Sequence, residues 1–386
     1  MQVNKVSRYS TYQRAHASIN AFEENRSMND PIQNTKQLPP LLGMTLTQMD
    51  SLTQRAGFPA YRAKQLFQWI YQKGIASLDE ATNLPKDYRA YLAENYSLGL
   101  PEIAHITGVA ADTRKLALRL NDGKIIESVL MHDEERDRFT LCVSTQVGCP
   151  LACKFCMTGL GGFQRNLTVA EILGQVILAQ RQLTSDQRLS NLVFMGMGEP
   201  MLNLEAVIPA LQLLISPNAI GFSSRRITVS TAGVVPGIRK FGRRNPGASL
   251  AVSLNATTNE TRSRIMPINR KYPIEELLCA LLEFPMPQRR RITFEYVLLR
   301  GVNDSDADAR RLIHLVHGIP CKINLICFNA TDPLPFEPVD DVRLEVFRDI
   351  LRHADLTVAV RYSKGRDLQA GCGQLAAHIQ QKQIAS

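Results

Sequence analysis

From Phe139 onward, short apolar runs alternate with stretches whose apolar residues recur three and four positions apart. The first pattern predicts strands and the second helices. Strands are expected at Phe139–Thr145, Asn191–Met195, Arg226–Ser230, Ser249–Leu254, Ile292–Leu299 and Lys322–Phe328. Helices are expected between them at Val169–Leu183, Leu204–Ile215, Val235–Phe241, Ile274–Phe284 and Asp306–Val316. A last helix, Val342–His353, leads to a final extended run, Thr357–Tyr362. Six strands alternating with helices predict an α/β fold with a parallel sheet. Eight such units close a full barrel, so six predict an open, partial (β/α)6 barrel with a side gap for a large substrate. Chemistry in such folds gathers at the C-terminal ends of the strands.

The pattern before Phe139 is different. Residues 1–38 are polar, without a sustained apolar period, and read as a disordered or loosely attached extension that ends at Pro39-Pro40. Residues 39–100 read as a small helical domain. Thr45 caps a first helix, Ala63, Leu66, Phe67, Ile70 and Tyr71 mark a second that Gly74 closes, and a third spans Lys86 to Tyr96. Arg55, Tyr61, Arg62, Lys64, Trp69, Tyr71 and Lys73 mix basic and aromatic groups there. The domain is either an RNA-binding accessory or a plain amphipathic cap with a solvated basic face. Residues 101–138 read as a β-hairpin linker packing on the barrel, with strands Lys115–Leu120 and Lys124–Met131 joined by Asn121-Asp122-Gly123. Glu127 shares a strand face with Ile125 and Val129. It is either a base with a raised pKa or an edge-strand carboxylate reaching water.

Composition narrows the class. The 386 residues are 45% apolar and 21% charged, as in a globular protein. No apolar run approaches the roughly 20 residues of a membrane span, and the polar N-terminus lacks the core of a signal peptide, so a cytoplasmic protein is expected. A net charge of +9 favours a polyanionic partner, nucleic acid first. Eight cysteines in a chain of this kind point to metal or thiol chemistry rather than a disulfide scaffold. Cys279, Cys321 and Cys327 fall in apolar patterns and are expected as buried packing residues.

The sharpest chemical signal follows the first barrel strand: Cys149, Cys153 and Cys156. Three thiolates suit an iron–sulfur cluster with one iron left open; zinc sites usually pair two cysteine knuckles, and the second is missing. An open iron suits S-adenosylmethionine (SAM). Phe155 between two ligands can shield the cluster. At the next strand end stands Met195-Gly196-Met197-Gly198-Glu199-Pro200. Its glycines let a ligand approach the backbone and Glu199 accepts from an ammonium group, or the motif is a strand-to-helix turn. Ser230, Ser253-Leu254-Asn255 and Asn329 end later strands and form a polar ring suited to a ribose and a carboxylate; singly, each reads as a turn or cap residue. Cys372 lies between two glycines, as an accessible, reactive thiol would. Cys142 is either its counterpart near the barrel mouth or a buried strand residue.

These motifs, with Gln146-Val147-Gly148-Cys149, Gly162-Phe163-Gln164-Arg165-Asn166-Leu167, Met266-Pro267-Ile268-Asn269, Glu295-Tyr296-Val297 and Cys372-Gly373-Gln374-Leu375, make residues 41–380 resemble the RlmN/Cfr family of radical SAM RNA methyltransferases, the RlmN branch more closely. The resemblance implies a radical SAM barrel in which Cys149, Cys153 and Cys156 hold a 4Fe–4S cluster. Gly198, Glu199, Ser230, Ser253, Leu254, Asn255 and Asn329 would form the SAM site, with two SAM used per turnover. It implies that Cys372 carries a methyl group, Cys142 resolves it through a transient disulfide, and Glu127 accepts a proton. The implied targets are carbon 2 of an adenosine in the peptidyl transferase centre of 23S rRNA and the adenosine 3′ of the anticodon in some tRNAs. An external electron donor such as flavodoxin, no membrane and a monomer complete the expectation. Asn255 stands where many relatives carry His, and Ala330 where Pro is common. Two competing readings are a Cfr-like enzyme acting at carbon 8 and a non-catalytic RNA-binding protein stabilised by zinc or a cluster.

Overall fold

A computed structural model of the chain describes residues 38–108, 113–362 and 374–375. The expected N-terminal extension through residue 37, and Cys372 with its flanking glycines, lie outside the described residues. The helical region opens with α1 (Leu46–Arg55), closed by a reciprocal box: Thr45 Oγ1 accepts from Gln48 N at 3.3 Å and Gln48 Oε1 from Thr45 N at 2.8 Å. α2 (Tyr61–Gln68) runs into a π-helical turn, Trp69–Lys73, which Gly74 ends in the left-handed conformation. α3 spans Lys86–Asn95. The apolar stripes of the three meet in one core, where the Thr53 and Tyr88 hydroxyls bond at 2.6 Å.

The extended region holds one strand more than the hairpin pattern predicts. β1 (Glu102–Thr107) pairs antiparallel with β2 (Arg114–Arg119), and β2 with β3 (Ile125–Asp133) across the Asn121-Asp122-Gly123 turn. β3 then pairs antiparallel with β4 (Arg138–Cys142), so the hairpin continues the main sheet edge to edge. An excursion after β4 pairs β5 (Gln146–Gly148) with β6 (Phe163–Asn166) and encloses α4 (Met157–Leu160) and the three cysteines.

The strand–helix repeat then runs α5 (Val169–Gln180), β7 (Leu189–Phe194), α6 (Leu204–Ile215), β8 (Ile227–Thr231), α7 (Val235–Arg244), β9 (Ser249–Ser253), α8 (Asn259–Ile265), α9 (Ile274–Leu282), β10 (Ile292–Leu298), α10 (Asp306–Val316), β11 (Cys321–Cys327), α11 (Asp341–Arg352) and β12 (Val358–Arg361). The sheet order is β1-β2-β3-β4-β7-β8-β9-β10-β11-β12, parallel from β4 on and open at both edges among the described residues. The final extended run thus becomes a seventh parallel strand. β10 is buried at every position, as helices cover one face and the barrel interior the other. Cys327 is buried and Cys321 half-buried, but Cys279 is exposed. α9 buries Ile274, Leu277, Ala280 and Leu281, and Cys279 falls outside that stripe.

Candidate active site

The cysteine loop is shaped by its backbone. A Cβ on Gly148 would lie 1.8 Å from the Gly162 carbonyl, and that close approach lets Cys149 N donate to Gly162 O at 2.8 Å. Ala152 takes the left-handed conformation, at φ 51°, and Cys156 N donates to Cys153 O at 3.2 Å. Lys154 N donates to Ile265 O at 2.9 Å, which hangs the loop on the end of α8. Burial pushes the Cys149 thiol up to about 12 and lifts Cys153 further; the charges of neighbouring thiols and of Glu199 add to both. Among the described residues no three His, Cys, Asp or Glu side chains are gathered closely enough to hold a single metal ion. A cubane instead takes each thiolate on a different iron.

Beside the loop, at the strand ends, lies a cavity of about 160 Å³ walled by Phe155, Cys156, Gly198, Glu199, Ser230, Ser253, Asn255 and Glu295, among others. Glu199 is 3% exposed. Its Oε1 accepts from Met201 N at 3.0 Å and its Oε2 from Ala232 N at 2.8 Å. Burial raises its carboxyl to about 7 against these bonds. Gly196 and Gly198 both line the cavity, and they serve a second purpose as well. A Cβ on Gly198 would lie 2.5 Å from Gln146 Cβ, and one on Gly196 2.7 Å from Ser144 Oγ. They let the loop close against the segment from the end of β4 to the start of β5, where Glu199 N donates to Gln146 Oε1 at 2.8 Å.

Asn255 sits at φ 56°, a left-handed position that Asn tolerates better than most side chains. Its Oδ1 accepts from Val297 N at 2.9 Å, so the amide joins the ends of β9 and β10 as well as facing the cavity. Leu254 is fully buried, and its N–H donates to Glu295 O at 3.1 Å. Asn329 follows β11, and its Nδ2 is a buried donor without a partner among the described residues. A ligand with an acceptor would satisfy it.

Glu127 is 1% exposed, on a strand paired on both sides, which removes the edge-strand reading. Its Oε1 lies 3.3 Å from Lys115 Nζ, and its carbonyl accepts from Ser144 Oγ at 2.6 Å. Cys142 ends β4, is buried, and stands opposite Val129, two positions from Glu127 on the same sheet face. Just past Cys372, Gln374 Nε2 donates to Thr331 Oγ1 at 2.5 Å, and Thr158 Oγ1 donates to Leu375 O at 2.6 Å. Thr158 lies two residues beyond Cys156. Two residues of the site carry no role in the sequence reading. Glu295 reaches the cavity from mid-strand, with Asn324 Nδ2 donating to its Oε1 at 2.9 Å. Arg262 is wholly buried behind the cavity. A charged residue inside the apolar run Ile292–Leu299 was the available signal for Glu295; Arg262 had none.

Residues 143–313 match the radical SAM superfamily, and residues 40–98 match the ribosomal RNA large subunit methyltransferase N-terminal domain. A relative from Syntrophobacter fumaroxidans named dual-specificity RNA methyltransferase RlmN is 45% identical over 86% of this chain and 96% of its own. One of the same name from Geobacter sulfurreducens is 48% identical over 87% of this chain and 92% of its own. The chain belongs to the RlmN family of radical SAM RNA methyltransferases. The crystal structure of a radical SAM methyltransferase from Sphaerobacter thermophilus superposes with a TM-score of 0.85 at 42% identity, covering 88% of this chain and all of that one. RlmN membership implies a 4Fe–4S cluster and SAM. The donor set fits both: three clustered thiols beside a cavity that presents a buried carboxylate, two serines and an asparagine.

Proposed function

We propose that this chain methylates carbon 2 of an adenosine in the peptidyl transferase centre of 23S rRNA and of the adenosine 3′ of the anticodon in some tRNAs. Cys149, Cys153 and Cys156 hold the cluster. Glu199, Ser230, Ser253, Asn255 and Asn329 hold SAM, with Gly198 and Leu254 shaping the walls. Bound there, the cluster and two SAM per turnover supply a methyl group and one-electron chemistry. Carbon 2 of adenine is electron-poor and cannot attack a methyl donor itself, whereas the thiolate of Cys372 can, so this residue carries the methyl carbon to the base. Glu127 takes the ring proton. The Cys142 thiolate then attacks the Cys372 sulfur: the S–S bond forms as the S–C bond to the base breaks, the released carbon takes up a proton to become the methyl group, and the disulfide is left for external reduction. An external electron donor such as flavodoxin supplies the enzyme with electrons. The basic helical region holds the RNA phosphates, and the enzyme works as a cytoplasmic monomer.

The observation that carries this reading is the docking of Gln374 and Leu375 beside the cysteine loop, through Thr331 and Thr158. Glu127 and Cys142 sit on one face of β3 and β4. The deciding measurement pairs labelled SAM with mass spectrometry of the RNA nucleosides. The wild-type chain should place label on carbon 2 of adenine, and Cys372→Ala should neither retain label on protein nor modify RNA. Labelled adenine from the variant, or a methyl at carbon 8 from the wild type, overturns the reading.

A further inference from the structure

Arg262, on α8, is a large side chain that is fully buried among the described residues. Its Nε donates to Leu254 O at 3.0 Å and its Nη1 to Asn269 Oδ1 at 3.0 Å. Its Nη2 donates to Ala232 O at 2.7 Å and to Ser253 O at 3.1 Å. All four acceptors are neutral. Hydrogen bonds to carbonyls position a guanidinium, but they leave its full charge in a low-dielectric interior, at a cost of several kcal/mol. Such a charge is stable where an anion answers it. The place for that anion is marked by geometry. Ile265, one helical turn on, accepts from Lys154 N at 2.9 Å, so α8 and the cysteine loop are directly joined. Cys153 and Ala232 both pack against the apolar cluster that holds Ile265 and Met266, which sets this cysteine beside the residues that follow Arg262 and the carbonyl it grips.

We propose that Arg262 is a positioning residue that supplies the counter-charge for the thiolate-held cluster and thereby raises its reduction potential, while its grip on residues 232, 253 and 254 keeps the SAM-facing strand ends level. This rests on the cluster reading above. The cluster and its thiolates are together anionic, and taking up one electron makes them more so. A fixed cation favours the reduced state most, and raises the potential at which that electron is accepted.

The test is a dithionite titration followed by electron paramagnetic resonance on full-length protein reconstituted without oxygen, comparing wild type, Arg262→Gln and Arg262→Lys. The Gln variant should accept its electron at a more negative potential, and the Lys variant, which keeps the charge but not the fork, should stay near wild type. An unshifted Gln variant, or a Lys variant shifted as far as Gln, overturns the proposal. If Gln fails to take up a cluster and Lys succeeds, the charge is what the cluster needs and the proposal stands. If neither loads, the role is structural and the proposal falls. A wild-type chain that takes up no cluster would instead overturn the function proposed above, a distinguishable result.

Discussion

Glu295 shows how one residue can be hidden in a sequence and plain in a fold. It sits in an apolar strand, and its motif carries no chemistry by spacing alone. In space its carboxyl faces the cavity, and burial raises it to about 7, against the Asn324 bond and the charges of Arg361 and Lys322. A carboxyl raised in the folded chain stabilises the fold fully below its ordinary value of 4.5 and loses that contribution as pH rises through about 7. The contribution at stake is about 3 kcal/mol. Between about pH 5 and about pH 8 the thermal midpoint of the apo-protein should therefore fall more for wild type than for Glu295→Gln, which has no proton to lose. Parallel curves for the two would remove this account. The same scale holds a second use for two glycines that line the cavity. Gly196 and Gly198 are visible as a pair in sequence, yet the atoms a Cβ would strike belong to Ser144 and Gln146, far off in the chain. Only the fold reveals that closeness.

At the scale of elements, legibility followed burial. α6 and α10 have the bounds their periodicity predicts, because each carries one continuous apolar stripe over a buried sheet. β1 was missed because it is a half-exposed edge strand with no alternation to read. A brace across the ends of β9 and β10, added to the bonds of Asn255 and Leu254, is equally invisible in the sequence, since a distant asparagine makes it. Asn303 is fully buried. Its Nδ2 donates to Asn255 O and Val297 O, both at 2.7 Å, and its Oδ1 accepts from Leu299 N at 2.8 Å. Asn303→Ala leaves these backbone groups unpaired and should cost at least about 2 kcal/mol in urea unfolding. SAM affinity measured by calorimetry should fall with it, as Asn255 loses its anchor. A variant as stable as wild type would show that water replaces the amide.

For the molecule as a whole, the period of the strand–helix repeat was sufficient to predict an open α/β barrel, because each unit must cover its sheet with a helix. The pattern could not disclose that the hairpin belongs to the same sheet. Strand order is a long-range property, and β3 lies beside β4 through backbone bonds that leave no mark on composition.

That pairing has a consequence for any shortened form of the protein. A chain beginning at β4 would keep all seven parallel strands but expose the backbone donors and acceptors of β4 that β3 now occupies. Unsheltered edges of this kind recruit other chains. Such a fragment should run as oligomers in size-exclusion chromatography at concentrations where the full chain elutes as one species, and a monomeric fragment would show the edge to be harmless. The antiparallel strands thus act as a selvedge, the woven border that keeps a sheet from fraying into its neighbours.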